Sequence, residues 1–296
     1  MYLIVGANGF LGAYFLKNLL AKGQEEIIAT ARNIETFGCQ EKNIHWQPLH
    51  VENHTEVDGL ARQLQGVMSE LKVVYLAAYH HPDMVERHPH RAWHINVTAW
   101  AYFLNRFDGV RFLVYPSTDV VYGEGDVKTK FREDSALHPV NRYGKHKMAA
   151  ECLATSYGHH VVRYPFLIGH SLVQHKKHFY DEILENLALG KEVKMFEDSY
   201  RSSLDFDTAA RLTLQLIERD QGDTPQVLNV AGDTGLSKYD VGLMIAKKYG
   251  GRTDLIVPVS VREKLENFTT PRAATAIMDN SKVKALLGLE AIEIQI

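Results

Sequence analysis

The chain has 296 residues, of which 45% are hydrophobic and 23% are charged, and its formal net charge is −3. This size allows one large core, or one core with a small attached lobe, and the weak acidic charge argues against a nucleic-acid-binding protein. No apolar run approaches the roughly 20 residues of a membrane span, and the N-terminus lacks the basic leader of a signal peptide. Cys39 and Cys152 fit neither a disulfide framework nor a zinc site. We therefore expect a cytoplasmic protein without nucleic-acid or membrane partners.

Apolar runs and helical patterns alternate along the first 165 residues. The predicted strands are Tyr2–Val5, Ile27–Ala31, Ile44–Gln47, Val73–Ala77, Phe112–Tyr115, His160–Arg163 and, much later, Gln226–Val230. The predicted helices are one from Leu11 to a stop at Gly23, Arg91–Phe107, Val140–Ser156, one from a capping box at Ser237–Asp240 to about Gly250, and Ser281–Leu287 closed by Gly288. Strands separated by helices predict parallel βαβ units with helices on both faces of one sheet. The predicted fold class is α/β, a doubly wound parallel-sheet Rossmann fold.

The pattern loosens after Pro165, where residues 166–202 lack clean strand alternation. We expect residues 1–165, together with about 203–232, to form a dinucleotide-binding Rossmann domain. Residues 166–202 and 233–296 would form a smaller substrate-binding lobe.

Three glycines, Gly6, Gly9 and Gly12, give the spacing GxxGxxG between the first strand and the first helix. A tight turn there needs the positive φ that glycine permits. The backbone must also approach a pyrophosphate, which the helix N-terminus then faces. The strand-turn-helix context predicts a dinucleotide site.

The residues at the end of the second strand indicate which cofactor to expect. It ends without the carboxylate that would hold a ribose 2′-hydroxyl, and Arg32 follows it. A guanidinium there suits a 2′-phosphate, which favours NADP and leaves NAD as the alternative. Arg32 stacked on adenine or merely solvated is the other interpretation.

Tyr143 and Lys147 form a Tyr-x-x-x-Lys motif inside a predicted helix, so the phenol and the ammonium share one face. A cation beside the phenol would lower its pKa toward the working pH and make Tyr143 a usable acid or base. Thr118 follows a predicted strand at the sheet edge where such folds bind ligands. Its hydroxyl can hydrogen-bond a substrate carbonyl oxygen.

These motifs together resemble the extended short-chain dehydrogenase/reductases of the NAD-dependent epimerase/dehydratase type, and among them the dTDP-4-dehydrorhamnose reductases. The similarity runs in order through nearly the whole chain. The matching segments are Gly6–Gly12, Leu76–Tyr79 with Asp83 and Glu86, Asn96, Ser117–Val121, Tyr143–Lys147, Arg163–Pro165 with Ile168–Gly169, and Pro271–Arg272 with Asp279.

The resemblance implies that Tyr143 protonates a carbonyl oxygen, that Lys147 tunes Tyr143 and holds the nicotinamide ribose, and that Thr118 orients the substrate. The expected cofactor contacts are Gly6, Asn8, Gly9, Phe10, Leu11, Arg32, His50, Val51, Ala77, Ala78, Tyr79, Asn96, Tyr143 and Lys147. The expected substrate contacts are Asp119, His80, Arg201 and Arg272.

The sequence departs from the family pattern at three places. His50 stands where an adenine-contacting aspartate is frequent, and His80 where threonine is frequent. Residues 171–194 match no family substrate signature. Val120 replaces the glutamate of related 4,6-dehydratases, which argues against dehydration.

The leading hypothesis is an NAD(P)H-dependent reductase of a 4-keto nucleotide sugar. The alternatives are an epimerase with tightly held NAD and a non-catalytic regulatory subunit of the same fold. The oligomeric state stays open, with a homodimer as one expectation. The cations expected to hold a sugar diphosphate are Lys176, Lys177, Arg201 and Arg272. In the alternative, the two arginines are surface residues paired with aspartates.

Eight of the fifteen histidines fall into two groups. The groups are His80, His81, His88, His90 and His94, and then His170, His175 and His178. Because no pair lies in a recognisable ligand motif with a carboxylate, we expect solvated histidines and no metal site, with a metal site as the alternative.

Overall fold

The computed structural model describes residues 1–23, 26–34, 42–174, 176–264 and 270–296. The longer strands are β1 (Tyr2–Val5), β2 (Ile27–Ala31), β3 (Ile44–Pro48), β4 (Lys72–Tyr75), β5 (Phe112–Thr118), β7 (His160–Tyr164), β9 (Val193–Phe196), β12 (Val227–Asn229) and β14 (Ile256–Val259). The two-residue strands are β6 (Lys130–Phe131), β8 (Leu167–Ile168), β10 (Tyr200–Arg201), β11 (Leu204–Asp205), β13 (Leu236–Ser237) and β15 (Ile277–Met278). The α-helices are α1 (Phe10–Lys22), α2 (His54–Leu64), α3 (Pro82–Arg87), α4 (Pro89–Trp93), α5 (Ala99–Arg106), α6 (Arg142–Ser156), α7 (Phe179–Ala188), α8 (Phe206–Arg219), α9 (Lys238–Lys248), α10 (Val261–Lys264) and α11 (Ser281–Leu287).

Seven strands form the central sheet in the order β12-β7-β5-β4-β1-β2-β3, and every neighbouring pair is parallel. These are the seven predicted strands, and the predicted α/β fold class is confirmed. The strand order reverses between β1 and β4, and open sheets of this kind bind ligands beyond the carboxyl ends of the strands at such a point.

Strand β1 shows why both sheet faces are covered. Tyr2 and Ile4 pack into one hydrophobic cluster with residues of α1 and α8, whereas Leu3 and Val5 pack into a second cluster with residues of α2, α5 and α6. Successive side chains of a strand point to opposite faces, so a fully apolar strand requires helices on both sides.

A third buried cluster lies outside the central sheet. Its members are Ile168, Tyr180, Ile183, Val193, Met195, Val241, Ile245, Ala246 and Ile256. All of them come from the two segments assigned to the smaller lobe, although Val283 and Ile292 from the C-terminal segment pack into the first cluster instead. The proposed domain division itself stays a prediction.

Several predicted helix ends are confirmed. Helices α1 and α11 end at Gly23 and Gly288, whose φ values of 76° and 64° are left-handed. Ser237 and Asp240 form the predicted capping box of α9. The predicted helix Arg91–Phe107 differs, because a π-helical turn, His94–Thr98, separates α4 from α5. Such turns are frequent at functional sites.

Within the described ranges no helix is long and apolar enough to cross a membrane. The same residues contain no cluster of three histidine, cysteine, aspartate or glutamate side chains that could hold a metal ion. Cys39 and His175 lie outside the described residues.

Candidate active site

The turn after β1 has the form that a dinucleotide needs. Gly6 has φ +84°, and a Cβ there would lie 3.0 Å from the backbone nitrogen of Ala77. A Cβ on Gly12 would lie 2.5 Å from the carbonyl oxygen of Ala7, so this glycine lets α1 pack tightly on the turn. Gly9 is different, because its φ is −82° and its Cβ would meet only the Gly6 oxygen at 3.5 Å. The protein itself therefore has no steric need for glycine at position 9.

A cavity of about 390 Å³ opens in front of this turn. Its lining residues are Val5, Gly6, Asn8, Gly9, Thr30, Ala31, Arg32, Leu49, Val51, Glu52, Leu76, Ala77, Ala78, Tyr79, His80, His81, Met84, Ile95 and Lys176. The structure thus brings the glycine turn, the end of β2 and the loop after β4 around one space. His80 is partly exposed at the cavity. Its partial burial there, followed by the charges of His81 and Lys147, lowers its pKa.

A wider depression continues from this cavity past Arg32. It is lined by Asn8, Arg32, Asn33, Ile34, Pro48, His50, Glu52 and Arg91. Arg32 has no hydrogen-bond or ion-pair partner among the described residues, whereas the His50 ring lies 3.1 Å from Glu56. Two guanidinium groups therefore face this space together with one carboxylate, Glu52.

Asn96 supports the loop after β4 from the π-helical turn. Its side chain accepts a hydrogen bond from the Tyr79 nitrogen at 2.7 Å and donates one to the Tyr79 oxygen at 3.0 Å. It is buried, so it positions Tyr79 within the cavity wall. Phe10 and Leu11 begin α1, and the Phe10 ring packs against His178 and Phe206, with centroid distances of 5.0 and 6.1 Å.

Helix α6 brings Tyr143 to the end of β5. The Asn141 side chain caps the helix by accepting from the Gly144 nitrogen at 2.9 Å, and it donates to the Pro271 oxygen at 2.9 Å. A Cβ on Gly144 would lie 2.7 Å from Pro139 Cβ and 3.1 Å from Val120 Cγ1. The missing side chain therefore lets the first turn of α6 lie directly on the segment after Thr118.

Lys147 does not contact Tyr143, although the motif predicts that it should. Its buried Nζ donates to the Tyr115 hydroxyl at 3.0 Å and to the Pro116 oxygen at 2.6 Å. Burial, opposed by Glu151, lowers the pKa of Lys147 to about 7. Burial and the charge of Asp119 raise the pKa of Tyr143 above its ordinary value. The expected contact between Lys147 and Tyr143 is thus absent from the structure, and the surroundings of Tyr143 favour its neutral phenol.

Thr118 is linked to Arg201 through Asp119. The Thr118 hydroxyl donates to Asp119 Oδ1 at 3.0 Å, and Arg201 Nε lies 3.0 Å from Asp119 Oδ2. The remaining Arg201 nitrogens donate to the oxygens of Tyr200, Ala273 and Ala274. Burial raises the Asp119 pKa, while Arg201 acts against that rise.

Two further cations surround this pair. Arg272 donates to Asp83 at 2.9 Å. Lys238, the first residue of α9, places Nζ 5.0 Å from the Phe166 ring centroid and 5.7 Å from that of Phe196. Burial, then the charges of Arg201 and Arg272, lower the Lys238 pKa to about 8. Three cations, Arg201, Arg272 and Lys238, and two carboxylates, Asp119 and Asp83, leave a surplus of one positive charge beside Thr118.

The structure thus gathers the predicted cofactor and catalytic residues at one edge of the sheet. Lys176 lies against the glycine turn, whereas Lys177 pairs with Glu185 at 2.6 Å. Three residues that the sequence did not single out also lie here: Arg91, Lys238 and Tyr115. In the sequence, Tyr115 has the pattern of an ordinary buried strand residue. The one signal for it is its position two residues before the Ser117-Thr118 turn.

Comparison with known proteins agrees with this geometry. The family model described as RmlD substrate binding domain matches residues 1–295. The chain belongs to this family. A probable low-salt glycan biosynthesis reductase, Agl14, of Haloferax volcanii is 26% identical over 96% of this chain and 91% of its own length. Methionine adenosyltransferase 2 subunit beta of Xenopus laevis is 24% identical over 96% of this chain and 81% of its own length.

Solved structures share the fold of this RmlD-family chain. A hypothetical dTDP-4-dehydrorhamnose reductase from Sulfolobus tokodaii superposes with a TM-score of 0.80 at 21% identity, covering 100% of this chain and 97% of its own. The dTDP-4-dehydrorhamnose reductase of Bacillus anthracis, in complex with NADP, superposes with a TM-score of 0.76 at 19% identity, covering 99% and 94%.

Proposed function

We propose that this chain is an NAD(P)H-dependent reductase of a 4-keto nucleotide sugar. The observation that carries the proposal is the position of Tyr143, in the first turn of α6 against the segment after Thr118, at the same sheet edge as the cavity of the glycine turn. A reductase needs a proton donor next to the carbonyl that receives hydride. The similarity to Agl14, which is named a reductase, supports the same activity.

The cavity suits a dinucleotide. Gly9 leaves room for a backbone-to-phosphate approach, and the N-terminus of α1 carries the positive end of the helix dipole. Arg32 and Arg91 together outweigh Glu52 in the adjoining depression, which favours the 2′-phosphate of NADP. When bound, the reduced nicotinamide would supply the hydride.

The chain's own residues would supply the rest of the reaction. Tyr143 donates its phenolic proton to the carbonyl oxygen as negative charge develops there. The Thr118 hydroxyl turns from Asp119 to the same oxygen and orients it. Lys147, fixed by Tyr115 and Pro116, presents its ammonium to the nicotinamide ribose.

The cations beside Thr118 would hold the anionic part of the substrate. Lys238 has no hydrogen-bond or ion-pair partner among the described residues, whereas Arg201 is engaged by Asp119 and three carbonyl oxygens. We therefore assign the main electrostatic contact with the substrate to Lys238, assisted by Arg272. Arg201 would act mostly by holding Asp119 in place.

A regulatory subunit is the rival function, because the similarity to methionine adenosyltransferase 2 subunit beta covers nearly the whole chain. Absorbance and mass analysis of the dinucleotide in the purified protein, followed by titration with NADPH, distinguishes the candidates. A reductase would bind and exchange NADPH and oxidise it with a 4-keto nucleotide sugar. Tightly retained NAD would indicate an epimerase, and NADPH binding without turnover of any such sugar would indicate a subunit.

A further inference from the structure

Lys176 approaches the dinucleotide cavity from outside the central sheet. It lies in the loop between β8 and α7, yet its Nζ donates to the Asn8 carbonyl oxygen at 2.9 Å, across the glycine turn. The same side chain lines the cavity together with Gly6, Gly9 and Arg32. A lysine 168 residues away in sequence from Asn8 therefore closes one side of the space in front of α1.

The loop that carries Lys176 is fixed at both of its ends. Asp181 accepts hydrogen bonds from the backbone nitrogens of Ser171 and His178, at 3.1 and 2.8 Å. The His170 ring lies 3.1 Å from the same carboxylate, and the Tyr14 hydroxyl of α1 donates to the His170 oxygen at 2.9 Å. The base of the loop is thus tied to α7 and to the helix that follows the glycine turn, so the fold holds this loop beside that turn.

The positive charge around Lys176 is only partly compensated. Its Nζ has a neutral carbonyl as its partner and no carboxylate among the described residues. Partial burial and the nearby Arg32 lower its pKa. Arg32 and Lys176 outnumber Glu52, the carboxylate that lines the same cavity, and a phosphate is an anion that a helix N-terminus and a lysine bind together.

We propose that Lys176 binds the pyrophosphate of the dinucleotide and so closes the glycine turn from the side of the smaller lobe. This inference rests on the proposed dinucleotide cofactor and adds a residue that the glycine turn alone does not supply. Lys176 exchanges the Asn8 oxygen for a phosphate oxygen when the cofactor binds. It contacts a group that NADH and NADPH share, whereas Arg32 faces the depression assigned to the 2′-phosphate.

The test compares Lys176→Met with Lys177→Met in the full chain. Lys177 is the matched control, because it is adjacent, exposed and paired with Glu185 away from the cavity. Dissociation constants for NADPH and NADH are measured by fluorescence at two salt concentrations. We expect Lys176→Met to weaken both cofactors about tenfold, as for the loss of one charge-assisted hydrogen bond, and to flatten the salt dependence. Lys177→Met should bind like the wild type, and Lys176→Arg should recover most of the affinity.

A purely structural role would lower the melting temperature of the dinucleotide-free protein, and Lys176→Met should leave it unchanged. Wild-type affinity of Lys176→Met for both dinucleotides would overturn the inference and leave the proposed function intact. A loss confined to NADPH would also overturn it, by moving Lys176 to the 2′-phosphate. If the wild-type chain bound neither dinucleotide, the proposed function would fail together with the inference.

Discussion

The two groups of cations in this molecule differ in how they are paired. Arg32, Arg91 and Lys176 surround the cofactor spaces without a carboxylate partner among the described residues. On the proposed substrate side, Arg201 is paired with Asp119 and Arg272 with Asp83, and Lys238 alone of the three lacks such a partner among the described residues.

This difference separates binding from positioning. Unpaired cations facing a cavity are ready to receive an anion, since no internal contact must first be broken. A cation already engaged by a buried carboxylate serves mainly to fix that carboxylate, and its removal leaves the carboxylate uncompensated. Under the proposed function, the cofactor side is thus open to its ligand, whereas the substrate side depends on Lys238.

The largest expected effect concerns proton donation by Tyr143. Tyr143→Phe should lower kcat by roughly 10² or more, the usual loss for a general acid, while the dissociation constant for NADPH stays nearly unchanged. Steady-state and binding measurements on the same preparation check this. Tyr157→Phe, at the exposed end of α6, is the control and should behave like the wild type. Near-normal turnover by Tyr143→Phe would remove that residue from the mechanism.

Arg32→Ala probes the unpaired group. The lost contact with a 2′-phosphate should weaken NADPH binding by about 1.5–3 kcal/mol, with little change for NADH. Titration with both cofactors measures the difference. Equal losses for the two cofactors would show that Arg32 stacks on adenine or is merely solvated.

Lys238→Met probes the cation of the substrate side that has no carboxylate partner among the described residues. We expect KM for a dTDP-sugar to rise about tenfold, since one charge-assisted contact with the substrate is lost, with NADPH binding unchanged. Lys247→Met, on the exposed last turn of the same helix, is the control. Arg201→Met should instead lower kcat more than it raises KM, because Asp119 loses its partner. The reverse pattern, with KM raised only by Arg201→Met, would return the substrate anion to Arg201.

The smallest effect is a shift in a pH profile. The pKa of Lys147 is lowered to about 7, so its ammonium is present below that pH and is lost as the pH rises through it. We expect kcat/KM for NADPH, which reports the free enzyme, to fall above about pH 7. Tyr115→Phe removes one acceptor of the ammonium and should move this fall to lower pH. A fall at an unchanged pH in Tyr115→Phe would show that another group titrates.

The fold was largely predictable because its signals are local. Apolar runs such as Tyr2–Val5 are buried on both faces. Helix caps such as Ser237 with Asp240 can be recognised from four consecutive residues. The side-chain partners were not predictable in the same way. Lys147 turns to Tyr115, 32 residues away, and Lys176 reaches Asn8, 168 residues away. Such contacts depend on how distant segments pack, which no sequence spacing encodes.

The most direct test of the central claim is hydride transfer from NADPH carrying deuterium at the transferable position of its nicotinamide. The purified chain is mixed with this cofactor and a dTDP-4-keto-6-deoxy sugar, and the sugar product is analysed by mass spectrometry. The account predicts one deuterium at sugar C4 for each NADPH oxidised, with this transfer lost in Tyr143→Phe. Binding of NADPH without deuterium transfer to any 4-keto nucleotide sugar would contradict it and identify the chain as a binding subunit.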